Sequence, residues 1–312
     1  MTARTTRLVG YLCALGAGTV WGTTGPLSTA LYAEGQAITG IGFWRVLLGA
    51  AGLALWAAFF QRDLFRIDKQ GILLMGLLGG FLVALFEVAY QFGIAGAGVA
   101  GAAALLYTAP VMVALVAKPL LGERLTPLRL ALAVAVMVGA AMTVWGGSQG
   151  GAGLTGVALP SLLAGVVGGL LSAMSYATTT VLARWAVPRY GAFRMLFWEA
   201  LGGVVILGVV LPLAGHAPAP PPTAGGWIYL LALALGGVVV ANFLFFAGVR
   251  RIEAAPTAVA ATIEPVVGAL LALLLFSQHL TALGWIGLLT VVGGVAAGYL
   301  KEGTPESEGS RL

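Results

Sequence analysis

Ten apolar stretches separated by short polar gaps fill most of this chain, at roughly 8–30, 38–60, 71–93, 97–117, 128–146, 157–181, 191–212, 226–249, 255–276 and 283–300. Each comes near the ~20 residues that a helix needs to cross a ~30 Å hydrocarbon core. The pattern predicts an all-α polytopic membrane protein with ten transmembrane helices. Charge distinguishes one gap from the next. Arg4 and Arg7 precede the first stretch, and Arg62, Arg66 and Lys69 follow the second. Lys118, Arg124 and Arg129 cluster around the gap after the fourth, and Arg184, Arg189 and Arg194 around the gap after the sixth. Arg250 and Arg251 follow the eighth, and Lys301 and Arg311 the tenth. The intervening gaps carry no Lys or Arg. Loops rich in these residues stay on the cytoplasmic side, so both termini are expected in the cytoplasm, with the chain multi-pass in a bacterial inner membrane.

The chain also repeats itself. At an offset of 155 residues Pro110 falls on Pro265, Leu125-Thr126 on Leu280-Thr281, Gly93 on Gly248, Gly139 on Gly294, and Thr23-Thr24 on Thr178-Thr179. Trp21 meets Tyr176 and Glu87 meets Asn242 at the same offset. Five crossings is an odd number, so the second copy must enter the membrane inverted. The loops trade charge accordingly: Lys118, Arg124 and Arg129 correspond to Leu273, His279 and Gly284, while Ala95-Gly96 corresponds to Arg250-Arg251. Inverted repeats place a solute site near the midplane between the halves and permit alternating access by rocking. The expected organisation is a cytoplasmic N-terminus (1–7), a first five-helix repeat (8–146), an outer linker (147–156), a second, inverted repeat (157–300) and a cytoplasmic tail (301–312).

Glu264-Pro265-Val266-Val267 ahead of a Gly/Leu-rich helix resembles the drug/metabolite transporter superfamily, EamA type. So do Tyr107-Thr108-Ala109-Pro110 with Leu121-Gly122-Glu123-Arg124-Leu125-Thr126, the Trp21-Gly22 pair, and the Phe43-Trp44-Arg45 run. One departure is Phe276-Ser277-Gln278-His279 where that family usually repeats Gly-Glu. The resemblance implies a secondary carrier of small metabolites, with amino-acid exporters among bacterial members. Amino acids, aromatic ones included, are the expected substrates, and organic cations the alternative.

Composition narrows the classes further. Charged residues make up 9% of the chain, against about 25% in soluble domains. The net charge of +5 therefore reports topology and leaflet attraction, and implies no nucleic-acid partner. The apolar run after Arg7 exceeds a signal-peptide core and lacks a clean cleavage site, so an uncleaved first helix is expected. Cys13 is the single cysteine, and His216 and His279 are far apart, so no metal set is expected. There is no Gly-x-x-x-x-Gly-Lys-Ser/Thr run and no catalytic cluster, which implies no cofactor, no ATPase partner and no enzyme. The expected partners are a small-molecule substrate and the lipid bilayer.

Ionisable groups at membrane depth cost roughly 2.5–3.5 kcal/mol each on insertion scales and ask for a reason. Four occur here: Arg45, Glu87, Glu199 and Glu264. Glu87 shares a helical face with Tyr90 and Gln91, and its mate Asn242 shares one with Phe245 and Phe246. These faces are read as cavity lining, with a structural hydrogen bond between helices as the alternative. Trp21 and Thr24 in the first helix, Tyr107 in the fourth, and Tyr176 and Thr179 in the sixth join the same candidate lining. Pro110 and Pro265, with Glu264 beside the latter, are candidate hinges, because proline frees a carbonyl four residues back. Arg45 and Glu199 follow Phe-Trp in near-equivalent places; an ion pair between them, or Arg45 reaching for the headgroups, would relieve their cost.

Overall fold

The computed structural model describes residues 3–123, 125–145, 159–276 and 280–301, and all regular structure in them is helical. The expected linker at 147–156, His279 and the tail beyond Lys301 lie outside the described residues, as does the side chain of Gln91.

Ten units follow in chain order. α1 runs Ala3–Gly22 and resumes at Thr24–Ala33 after a turn at Thr23. α2 is Ile38–Phe60. α3 starts at Lys69 and passes through a π-helical stretch, Ile72–Gly79, into Gly80–Leu106; that helix also carries the first part of α4, which ends as Ala109–Leu121. α5 is Pro127–Trp145, α6 Leu159–Tyr190 and α7 Ala192–Leu213. α8 joins Ala224–Ala232, π-helical Leu233–Val240 and Ala241–Arg251. α9 is Ala254–Ala261 with Glu264–Phe276, and α10 is Ala282–Lys301. Among the described residues eight helices are long and apolar enough to cross a membrane, and Pro127–Thr143 is a shorter apolar helix in addition to them. α1, interrupted at Thr23, completes the set.

The gap expected at 94–96 takes an unexpected form. Backbone there stays helical, yet a Cβ on Gly93 would lie 3.2 Å from the Cβ of Ala102. Nine residues of straight helix would hold the two about 13 Å apart. The chain therefore reverses between them. A side-chain cap starts α3: the Asp68 carboxylate accepts from the Gly71 N–H at 2.8 Å and the Tyr190 hydroxyl at 2.9 Å. Those bonds, the Gly71 one foremost, hold its carboxyl below the usual range.

Packing follows a two-fold rule. α1 packs on α8 as α6 packs on α3; α1 packs on α9 as α6 packs on α4; α2 packs on the π stretch of α8 as α7 packs on that of α3. α2 with α7, and α5 with α10, pair across the dyad itself. Small residues let these helices approach closely. A Cβ on Gly93 would stand 3.3 Å from the Gly169 nitrogen, and one on its repeat mate Gly248 would stand 3.4 Å from the Ala14 nitrogen, itself the mate of Gly169. Sequence symmetry is thus matched by contact symmetry.

Candidate functional site

α4 and α9 are both broken near their middles, at Tyr107-Thr108 and Thr262-Ile263, which are repeat mates. Pro110 and Pro265 stand just inside the resuming halves. Having no N–H, they leave the carbonyls of Leu106 and Ala261 without their helical partners. A small, partly open cavity lies at these breaks. α1 contributes Trp21 to its wall, α4 contributes Leu106, Tyr107, Ala109 and Pro110, α6 contributes Tyr176, and α9 contributes Ala261, Thr262 and Glu264. Both halves of the chain therefore build one wall. Irregular backbone at membrane depth is tolerated where it lines such a space.

Trp21, Tyr176 and Phe245 form a ring triangle, with centroids 6.1 Å apart for Trp21–Tyr176 and 5.4 Å for each contact with Phe245. Phe245 and Phe246 are buried, and neither is part of this wall. The π stretch of α8 explains the placement of Trp21. Its wider turn changes the carbonyl ladder, and the Gly237 carbonyl accepts both the Trp21 indole N–H at 3.0 Å and the Asn242 amide at 3.2 Å. Asn242 donates also to the Val238 carbonyl at 2.9 Å, so its amide serves its own helix. In the other half the Ser175 hydroxyl donates to the Leu82 carbonyl at 2.6 Å, and Leu82 is the mate of Gly237. Thr24 bonds back to the Trp21 carbonyl at 2.6 Å. Thr179 is half-buried and is not part of this wall. Tyr90 stacks on Phe86 at 5.8 Å.

Glu87 is committed elsewhere. Its carboxylate accepts from Arg45 Nε at 3.0 Å and forms an ion pair with the same guanidinium. The described ion pair of Arg45 is thus with Glu87 across α2 and α3, and the Arg45–Glu199 pairing considered from sequence does not form. Glu199 is buried in α7 with its Oε2 unbonded, its Cβ lying 3.1 Å from where a Cβ on Gly79 would be.

A second arrangement, at the end of the bundle that carries the Arg clusters, was not singled out from sequence. Glu123 accepts from the Ala254 N–H at 2.8 Å and so caps the start of α9. Arg184 donates to the carbonyls of Val249 at 2.5 Å and Ile252 at 2.8 Å, capping the end of α8, and its Nε stands 4.0 Å from Glu123. Arg129 pairs with Glu253. The α8–α9 junction is therefore pinned from both sides, each charge having the sign that its helix end favours. Burial pushes the Glu123 carboxyl above its usual value of 4.5; Glu253 adds to that push, while the Ala254 bond and Arg184 oppose it. At the 155-residue offset Arg184, Glu253 and Arg129 become Thr29, Gly98 and Gly284, so none of the three has a charged mate. The signal available in the sequence was that Glu123 and Glu253 are acids in otherwise basic gaps.

Two inverted five-helix units with broken helices meeting at a shared cavity define a membrane transporter of the inverted-repeat class. The model of the EamA-like transporter family matches the chain twice, over residues 8–145 and 163–299, and the chain belongs to that family. The two matches begin 155 residues apart. An "Uncharacterized transporter" of Archaeoglobus fulgidus is 28% identical over 239 residues, covering 76% of this chain and 78% of that protein. An "Uncharacterized transporter YetK" of Bacillus subtilis is 22% identical over 268 residues, covering 84% and 78%. A solved structure described as "Crystal structure of protein" shares the fold, with a TM-score of 0.77, 22% identity, and coverage of 95% of this chain and 98% of that one.

Proposed function

We propose that this transporter is a secondary carrier that exports small metabolites, amino acids including aromatic ones foremost, by alternating access. In this reading the repeats at 8–146 and 157–300 rock about the cavity at the α4 and α9 breaks. The end bearing Glu123, Arg184 and Arg129 faces the cytoplasm of a bacterial cell, as do both termini. The observation that carries the reading is a cavity walled by Trp21, Tyr107, Tyr176 and Glu264 from both halves. Ring faces suit an apolar side chain and the carboxylate suits an amino group. Organic cations are the second reading, favoured by the same carboxylate.

In purified protein in liposomes, internal unlabelled phenylalanine is expected to accelerate entry of labelled phenylalanine, with a rate that saturates. Linear flux without such exchange would replace the carrier with a channel.

The network at the basic end is read as the cytoplasmic gate. Only one end carries it, so opening that end must separate Glu123 and Arg184 from the α8–α9 junction. In a Cys13→Ser background, Ala258→Cys places a thiol in the core beneath the network, where Ala258 is 1% exposed. Adding Arg184→Ala is expected to speed labelling of that thiol roughly tenfold, the equivalent of one lost charged hydrogen bond. The pH response has a definite sign. The closed gate holds Glu123 with a raised pKa, and an open gate returns it to water near 4.5. The closed form thus binds the proton more tightly. Labelling should slow as pH falls from neutral through the raised Glu123 value and quicken as pH rises through it. Glu123→Gln should flatten that dependence, and an unaltered pH profile in this variant would remove Glu123 as its source.

A further inference from the structure

The cavity has an uneven supply of donors and acceptors. Its clearest donors are already engaged: the Trp21 indole N–H is bonded to Gly237, and the Thr262 hydroxyl donates to the Ala258 carbonyl at 2.9 Å. Its acceptors are not. Among the described residues none donates a hydrogen bond to the Glu264 carboxylate, and Pro110 denies a helical partner to the Leu106 carbonyl on the same wall, while the Ala261 carbonyl is packed against α1 at Gly18. The phenols of Tyr107 and Tyr176, able to donate or accept, share the space with Glu264. No Lys or Arg lines the wall. Arg45 is held in its ion pair with Glu87.

A site with free acceptors, engaged donors and ring faces takes a ligand that brings donors and positive charge. An ammonium group brings three N–H donors, and a cation is attracted to aromatic faces. We infer that Glu264 is the receptor for a protonated amine, with Trp21, Tyr107 and Tyr176 enclosing an aromatic or apolar body, so that the substrate class is amine-bearing and its carboxylate is dispensable. This rests on the reading of the cavity as the solute site, and it narrows that reading to the group recognised.

Two probes with the same ring separate the possibilities: tyramine, which carries the amine alone, and 3-(4-hydroxyphenyl)propionate, which carries the carboxylate alone. Binding is read as thermal stabilisation of the full-length purified protein, independently of transport. Tyramine should stabilise the wild type in a saturable way, and the propionate should not. Glu264→Gln should weaken tyramine binding about tenfold or more, while Glu264→Asp should retain part of it. If Glu264→Gln does not fold, the wild-type comparison of the two probes decides alone. Equal binding of both probes, absence of tyramine binding, or unchanged affinity in Glu264→Gln each overturns the inference. Phenylalanine counterflow is scored separately: exchange without any tyramine binding sinks the amine receptor and leaves the carrier standing, and tyramine binding without exchange does the reverse.

Discussion

Arg45→Met is expected to destabilise the folded protein by about 3 kcal/mol, the usual result of leaving one member of a buried ion pair without its partner. Glu87 is the reason. Its side chain is 8% exposed and its carboxylate is held by the Arg45 guanidinium, which is itself 23% exposed. Removing the cation leaves an anion inside α3, against α2, where water cannot solvate it. The same argument forecasts recovery. Arg45→Met combined with Glu87→Gln removes both charges and should return to within about 1 kcal/mol of the wild type, because burying a pair costs nearly what its attraction returns. Thermal melting in one detergent, for the wild type, both single variants and the double, gives the coupling directly. At roughly 2–4 °C per kcal/mol for a chain of this order of size, the single variant should melt roughly 6–12 °C lower. Additive single effects would show that the two charges do not support each other.

Gly202→Ala is expected to be as damaging, for steric reasons alone. A Cβ at 202 would lie 1.9 Å from the Gly76 carbonyl oxygen and 3.0 Å from the Gly80 Cα. Both obstacles are backbone, so no rotamer change relieves them. α7 and the π stretch of α3 would have to separate along their crossing. Overpacking of a tight core costs about 1–3 kcal/mol, and more where backbone must move; a loss of about 3 kcal/mol or failure to fold is expected. Gly293→Ala is the control, since a Cβ there meets nothing within 4 Å. Equal melting of the two alanine variants would contradict the close crossing.

Several site residues were visible one at a time in the sequence. Trp21, Tyr107, Tyr176, Pro110 and Glu264 were each singled out, and they meet on one wall. Glu264 was noticed as a neighbour of a kink, and its position on the cavity surface emerges only when α1, α4, α6 and α9 are assembled. Arg45 and Glu199 illustrate the opposite case. Their near-equivalence in the repeat is a symmetry relation, and mates related by a dyad touch only where they lie near its axis. The contact partner of Arg45 came instead from the adjoining helix α3. Asn242 likewise corresponds to Glu87, yet its amide turns to carbonyls of the π stretch that no hydrophobic pattern announces.

Sequence alone determined the helical class, the succession of spans and the duplicated, inverted plan. Apolar length is a local property that the bilayer reads directly, and loop charge is written one gap at a time. Tertiary structure alone decided which charges are neutralised, which donors are engaged and which acceptors remain open. Those outcomes depend on side chains far apart in sequence, from Arg45 and Glu87 to Trp21 and Gly237. A hydrogen bond needs its partners within about 3 Å, and only the packed helices fix distances on that scale.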